Sequence, residues 1–151
     1  MTYTSALQFS IKSITRKRQT EARIREKLAR RFPQADADQV VARLKELNYL
    51  NDKDFSSAWV NYRSLSSPRG KYALRQELKR KGIQEEDMSQ ALEDYSEHEA
   101  IAGLAAKKWP VLKDASIWKR KEKLQRFLLS RGFTISEVIE VVNSVARGTD
   151  V

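Results

Sequence analysis

Leu74-Arg75-Gln76-Glu77-Leu78-Lys79-Arg80-Lys81-Gly82-Ile83 is the stretch on which the fold turns. Two leucines four positions apart share one face of a helix. Gly82 stands where a helix ends on a left-handed residue. The same figure recurs fifty residues to either side, as Ile24-x-x-x-Leu28 and Leu124-x-x-x-Leu128. The continuations correspond too: Arg30-Arg31-Phe32, Arg80-Lys81-Gly82-Ile83 and Ser130-Arg131-Gly132-Phe133. An apolar helix follows in each copy, beginning at Val40, Met88 and Val138, with about two extra residues in the first. Helical units repeating at such a period cannot bury their apolar faces alone and must stack on their neighbours.

Outward from these copies the apolar spacing stays helical. Leu7, Ile11 and Ile14 mark a first helix, and Thr20 is a plausible N-cap for a second that closes at Phe32-Pro33. Asp36 or Asp38 starts a third with Val40, Val41, Leu44 and Leu47 inward. Asp52 reads as the N-cap of a fourth, with Phe55, Trp59 and Tyr62 (or Leu65) as its buried stripe. Ser66-Ser67-Pro68-Arg69-Gly70 breaks the pattern. After the fifth helix, Met88, Ala91, Leu92 and Tyr95 suggest a sixth. Ser96-x-x-Glu99 is a capping-box match opening a seventh with Ile101, Leu104, Ala105 and Lys108 on one face, ending near Trp109-Pro110. An eighth runs from about Asp114 to Arg131 with Trp118, Leu124 and Leu128 inward. Thr134-x-x-Glu137 opens the last, with Val138, Val141, Val142 and Val145. The valines leave a strand as a minor alternative there. The fold expected is all-α: three tandem three-helix repeats stacked into an elongated, curved solenoid-like array. The expected divisions are residues 1–51, 52–110 with a connecting helix, and 111–151, together one modular domain.

Composition narrows the function. Of 151 residues, 40% are hydrophobic and 32% charged, enough for a core spread under a large polar surface. No cysteine is present, which excludes disulfides and thiolate metal sites. The longest apolar runs, such as Phe127-Leu128-Leu129, are far too short to span a membrane. Gln8, Ser10, Lys12 and Ser13 interrupt any signal-like apolar run, so a cytoplasmic protein without membrane attachment is expected.

Catalytic chemistry has little to work with. His98, the single histidine, sits among Glu97 and Glu99 without a second imidazole or thiolate at ligand spacing. Glu85-Glu86-Asp87 suits a helix N-terminus, where the macrodipole favours carboxylates. The glycines fall singly at helix ends rather than in a phosphate loop. The serines lack a base beyond His98. No catalytic, cofactor or metal site is therefore expected. Trp59, Trp109 and Trp118 could stack on bases, but their spacing favours core packing.

The net charge of +9 draws the chain toward polyanions, and that charge follows the repeat. Residues 1–31 carry nine basic and two acidic residues, 67–83 six and one, and 106–131 nine and two. The acids gather between, with seven and no base in 84–105. Equivalent basic helices stacked on one side would make a continuous positive stripe, whose phosphate contacts release counterions together. The candidate binding residues are Arg25, Arg30 and Arg31 in the first copy; Arg75, Lys79, Arg80 and Lys81 in the second; and Lys119, Arg120, Lys123, Arg126 and Arg131 in the third. Several lie four apart, where like charges cost stability unless a partner compensates. A solvated helix surface is the bland alternative.

Four segments in order resemble the RecX family of recombination regulators. They are Ile14-Thr15-Arg16 with Thr20…Ile24-Arg25-Glu26-Lys27-Leu28; Tyr49-Leu50-Asn51-Asp52-x-x-Phe55-Ser56-x-x-Trp59-Val60-x-x-Arg63; Gly70 through Leu74–Ile83; and Lys123-x-x-Arg126-Phe127-Leu128-x-x-Arg131-Gly132-Phe133. The chain departs from the family pattern at Phe32-Pro33, where Lys-Gly or Arg-Gly is usual, and at Arg23, where an acid is common. The resemblance implies a modular protein of three tandem three-helix repeats that binds the RecA filament along its groove and inhibits its extension, ATP hydrolysis, strand exchange and co-protease activity; a monomer is expected. Some members of that family also bind DNA, single- or double-stranded. Two other readings stay open: a DNA-binding helical protein without a recombinase partner, and an adaptor that pairs its basic and acidic faces with copies of itself.

Overall fold

The computed structural model describes residues 2–113 and 116–148. Among them nine α-helices and one 3-10 turn follow each other with no strand: α1 Thr2–Arg16, α2 Glu21–Arg31, α3 Ala37–Glu46, α4 Asp52–Ser66, α5 Lys71–Arg80, α6 Glu85–Leu92, α7 Glu97–Lys108, the turn Trp109–Val111, α8 Ile117–Ser130 and α9 Ile135–Arg147. The valine-rich last segment is helix throughout. Its cap and i, i+4 burial of Val138, Val142 and Ala146 outweigh β-propensity. The expected start of the eighth helix falls on residues 114 and 115, outside the described residues; the described helix is capped by Ser116, whose side chain accepts from Lys119 N.

The repeated Leu-x-x-x-Leu pairs form the core. Leu74, Leu78, Leu124 and Leu128 are fully buried, as are Ile24 and Leu28. Burying each such side chain contributes about 1.5–3 kcal/mol. Gly82 (φ 82°) and Gly132 (φ 88°) end α5 and α8 in the left-handed region. Ile83 N donates to Leu78 O and Gly82 N to Lys79 O, and Phe133 and Gly132 repeat the arrangement on Leu128 and Leu129. Both are Schellman closures, and Ile83 and Phe133 are buried just beyond them. The first copy differs as its Phe32-Pro33 suggests. Phe32 N donates to Leu28 O without a left-handed residue, and the corresponding turn appears one helix later, at Asn48 (φ 63°).

The chain packs as two units, one formed by the chain up to Trp59 with Glu77–Ala91, the other by Val60–Gln76 with the chain from Leu92 onward. In the first, α1, α2 and α3 close over Ala6, Ile14, Ile24, Leu28, Val40, Val41 and Leu44. In the second, α7, α8 and α9 close over Ile101, Ala105, Trp109, Leu124, Leu128, Phe133, Val138 and Val142.

One joint is built in each unit from matching parts. In the first, the Thr20 hydroxyl donates to Lys81 O at 2.8 Å. Glu21 N donates to Asp52 Oδ1 at 2.9 Å, and Gly82 lies against Ala22. In the second, Gly70 N donates to Arg131 O at 2.9 Å. Lys71 N donates to Glu97 Oε1 at 2.9 Å, and Gly132 lies against Ala73. The first residue of α4 thus caps the N-terminus of α2, and the first residue of α7 caps that of α5.

This joint corrects the reading of Asp52 as the N-cap of its own helix. Asn51 Oδ1 accepts from Asp54 N instead, which frees the Asp52 carboxylate for Glu21. Burial pushes the Asp52 carboxyl above its ordinary range against the pull of that hydrogen bond.

Three further expectations about burial change. Tyr62 and Leu65 are exposed at 56% and 80%, and the inward face of α4 is Phe55, Ser56 and Val60. At about 100° per residue, Tyr62 stands on the far side from Val60. Ser56 is tolerated inside because its hydroxyl donates to Asp52 O at 2.7 Å. Trp118 is 70% exposed rather than inward. Six positions before Leu124 and ten before Leu128, it is turned roughly 120° from the first and roughly 80° from the second. Leu47 is 40% exposed because it lies past the end of α3; Leu50, brought back by the Asn48 turn, is buried in its place.

The second joint carries a pH signature. Burial raises the Glu137 carboxyl above the ordinary glutamate range, and the neighbouring Glu97 carboxylate adds to it. A carboxyl whose folded pKa exceeds its unfolded one favours folding most when protonated, so its contribution falls as pH rises through the raised value. Glu137→Gln is expected to raise the thermal midpoint at pH values above the ordinary glutamate range and to flatten the fall in stability as pH rises out of that range. Unfolding curves across that range check it, and an unchanged slope would assign the dependence elsewhere.

Candidate functional site

The basic residues fall into three structural situations. Some are used internally. Arg25 donates through Nε to Glu21 at 2.9 Å and through Nη1 to Asp38 at 2.7 Å, and Lys45 completes the cluster on Glu21 at 2.6 Å. The hydrogen bonds to Asp38 and Glu21 raise the Arg25 pKa. Despite its burial, the Glu21 carboxyl is held below its ordinary range by Lys45 and Arg25. Arg126 pairs with Glu122 at 2.6 Å. Arg25 and Arg126 are thus partnered within the chain.

Others lie on aromatic rings. Arg120 sits 3.9 Å over the Trp109 ring and donates to Trp109 O at 2.8 Å. Arg131 and Lys108 stand 4.7 and 4.8 Å from the Phe127 ring. Arg31 stands 4.8 Å from Phe9. Lys81 lies 4.3 Å over Trp59, whose ring stacks on Phe55 and whose indole N–H donates to Glu77 at 2.9 Å. Each such contact contributes about 0.5–2 kcal/mol, so these cations position helices as well as carrying charge. Trp109 is buried as expected, whereas Trp59 is half-buried beneath a lysine.

The third situation is solvent. Arg30, Lys79, Arg80 and Lys119 are exposed and enter no ion pair among the described residues. Lys123 is exposed and Arg75 half-buried on their helices. On α8, Lys119 follows the exposed Trp118 directly.

Lys79, Arg80 and Lys81 are brought together in a groove of about 920 Å³ in the first unit. Its other walls are the end of α1, the link to α2 and the outward face of α2. These supply Lys12, Arg16, Lys17, Arg18, Arg23 and Lys27, against a single carboxylate, Glu26. That carboxylate is engaged by Arg23 at 3.0 Å. Lys27 Nζ donates to Ser13 Oγ at 2.9 Å. Burial lowers the Lys27 pKa, and Arg23, Arg16 and Lys17 lower it further. The groove is therefore a region of concentrated, uncompensated positive potential. Arg25, Arg30 and Arg31, chosen from the sequence on the same helix, do not line it.

The sequence reading missed Lys12, Arg16–Arg18, Arg23 and Lys27 as site residues. The signal was there: Arg16-Lys17-Arg18 directly precedes the Thr20 cap, where a helix end and a helix start must meet. Among the described residues no group of histidine, cysteine or carboxylate side chains could hold a metal ion, and no helix is long and apolar enough to cross a membrane.

Comparison with known proteins agrees with this helical repeat. The model of the RecX second three-helix domain matches residues 51–92 and that of the RecX third three-helix domain residues 95–142. Regulatory protein RecX of Chlorobium phaeobacteroides (strain BS1) is 36% identical over 143 residues, 94% of this chain and 94% of its own length. That of Prosthecochloris aestuarii is 33% identical over 123 residues, 81% of each. The crystal structure of RecX from Lactobacillus salivarius superposes with a TM-score of 0.80 over 95% of this chain and 96% of its own, at 19% identity, which speaks to fold. With helix order, repeat and sequence in agreement, the chain belongs to the RecX family of regulatory proteins.

Proposed function

We propose that this chain is a negative regulator of the RecA recombinase, binding the RecA–DNA filament through its basic surfaces and inhibiting filament extension, ATP hydrolysis, strand exchange and co-protease activity. The observation that carries the reading is the set of exposed, unpaired cations Lys79 and Arg80 within the basic groove of the first unit, in a member of a regulatory family. Like charges so gathered repel one another in the free protein, and an anionic partner relieves that repulsion. The α8 surface of the second unit, with Trp118 and Lys119 exposed, offers a second contact on the same chain. Two modest contacts on one chain combine into avidity on a repetitive filament. The regulator acts without chemistry of its own.

Fluorescence anisotropy of labelled single-stranded DNA, bare or coated with recombinase, tests the partner. Tighter binding to the coated strand, weakening with salt, is the expected result. Equal or weaker binding would favour the reading as a DNA-binding protein without a recombinase partner.

A further inference from the structure

We infer that Glu97 and Glu137 share one proton, and that this carboxyl pair is a latch holding the starts of α5, α7 and α9 together until the proton leaves. The latch belongs to the second joint and holds whether or not a recombinase is the partner.

The pair cannot close without a proton. Glu97 Oε1 is occupied, accepting from Lys71 N at 2.9 Å and so capping α5. Glu137 stands in the first turn of α9, its backbone N–H donating to the Thr134 hydroxyl at 3.5 Å. Its Oε2 is enclosed and has no donor, and the side chain it meets from α7 is Glu97. Two ionised carboxylates offer only acceptors, so they bond only when one is protonated. Since Glu97 already serves Lys71, Glu137 is the donor. One proton thereby ties α9 to α7, while the same Glu97 ties α7 to α5.

The surrounding charges set the direction of the switch. Glu97 and His98 face Glu137 from α7, and Thr134 hydrogen-bonds it from its own helix cap. Tyr95, just before α7, also feels the Glu97 charge, and α5 brings the Lys71 N–H. Neither Glu97 nor Glu137 enters an ion pair among the described residues. Burial raises the Glu137 carboxyl, the Glu97 charge raises it further, and His98 opposes them. Loss of the proton sets two negative charges against each other with only the exposed His98 to oppose them. The latch is therefore closed at low pH and opens as pH rises through the raised value.

The first joint repeats the arrangement. Asp52 caps Glu21 N as Glu97 caps Lys71 N. Fifty positions before Glu137 stands Asp87, in the first turn of α6, and its charge acts on Asp52. Each joint thus sets its capping carboxyl beside an acid from the first turn of a later helix. In the first, Lys45 lies within reach of Asp52 and relieves the repulsion; the second has no such lysine, which makes it the proton-dependent one.

Carboxyl carbon-13 NMR of the full chain across pH tests the pair. The Glu137 midpoint should lie above the ordinary glutamate range and fall back toward it in Glu97→Gln, whose carbonyl can still accept from Lys71 N. Glu137→Gln replaces the shared proton with a permanent amide donor. Hydrogen exchange at the Lys71 amide, corrected for its intrinsic rate, should lose protection as pH rises in the parent and keep it in Glu137→Gln. Glu140→Gln, exposed on the same helix, should change neither result. Both should persist in His98→Asn, which removes the single imidazole of the chain. A Glu137 midpoint unmoved in Glu97→Gln would overturn the latch. So would Lys71 protection that is constant with pH in the parent, or that falls equally in Glu137→Gln. Neither measurement involves recombinase, so failure of the latch leaves the regulatory reading standing.

Discussion

Gly70→Ala should destabilise the protein by about 3 kcal/mol, a large fraction of the stability of an ordinary domain. A methyl group at this buried position would stand 2.1 Å from the carbonyl oxygen of Gly132 and 2.8 Å from Phe133 N. The obstacle is backbone, which cannot rotate away as a side-chain tip can. The same shift would stretch the hydrogen bond from Gly70 N to Arg131 O and disturb the Schellman closure of α8. Gly103→Ala supplies the internal contrast. It lies within α7 with open space around its Cβ direction, so alanine there should stabilise by about 0.5–1 kcal/mol through helix propensity. Urea unfolding of the two variants should move in opposite directions. A Gly70→Ala protein as stable as the parent would mean that the joint is not closely packed.

The second large effect concerns function. Lys79→Glu combined with Arg80→Glu should weaken inhibition of the recombinase by about two orders of magnitude or more, since charged contacts at an interface contribute roughly 1.5–3 kcal/mol each and reversal adds repulsion. The fold should survive, because both side chains are exposed and unpaired among the described residues. Placing acids in the last turn of α5 opposes the helix dipole by about 1 kcal/mol at most. Lys81 is deliberately retained. It lies on Trp59 and Phe55, so reversing it would confound binding with packing. Undiminished inhibition by a well-folded double variant would remove these residues from the interface.

The repeat was legible because its determinants are local and periodic. Leucines four apart and a glycine at the helix end announce α5 and α8 without tertiary information, and Leu74, Leu78, Leu124 and Leu128 are buried where that spacing puts them. What was illegible depends on partners distant in sequence. Asp52 reads as a local cap but serves Glu21, thirty-one residues earlier, because folding sets the start of α4 beside the start of α2. The α4 stripe was misassigned because Ser56, polar by composition, is buried once its hydroxyl bonds Asp52 O. Spacing relative to Leu124 and Leu128 suggests an inward Trp118, but at six positions from Leu124 the helical phase turns it outward.

The basic residues show the same division. Charge density along the chain marks three basic segments. It does not say that Arg25 serves Glu21 and Asp38, or that Arg120 lies on Trp109. Nor does it say that the end of α1 lines one groove together with Lys79 and Arg80. A list of basic residues becomes a candidate surface only after the internally occupied ones are removed. In the first unit that leaves the groove and, outside it, Arg30, and in the second the exposed Trp118–Lys119 stretch of α8.

Filament regulation is tested most directly by recombinase ATP hydrolysis on single-stranded DNA with this chain titrated in. Inhibition that saturates well below the amount needed to cover the DNA is the predicted result, because a regulator acting on the filament need not occupy every site. Inhibition that develops only as the chain saturates the DNA would contradict it, and would reduce the protein to a competitor for the strand.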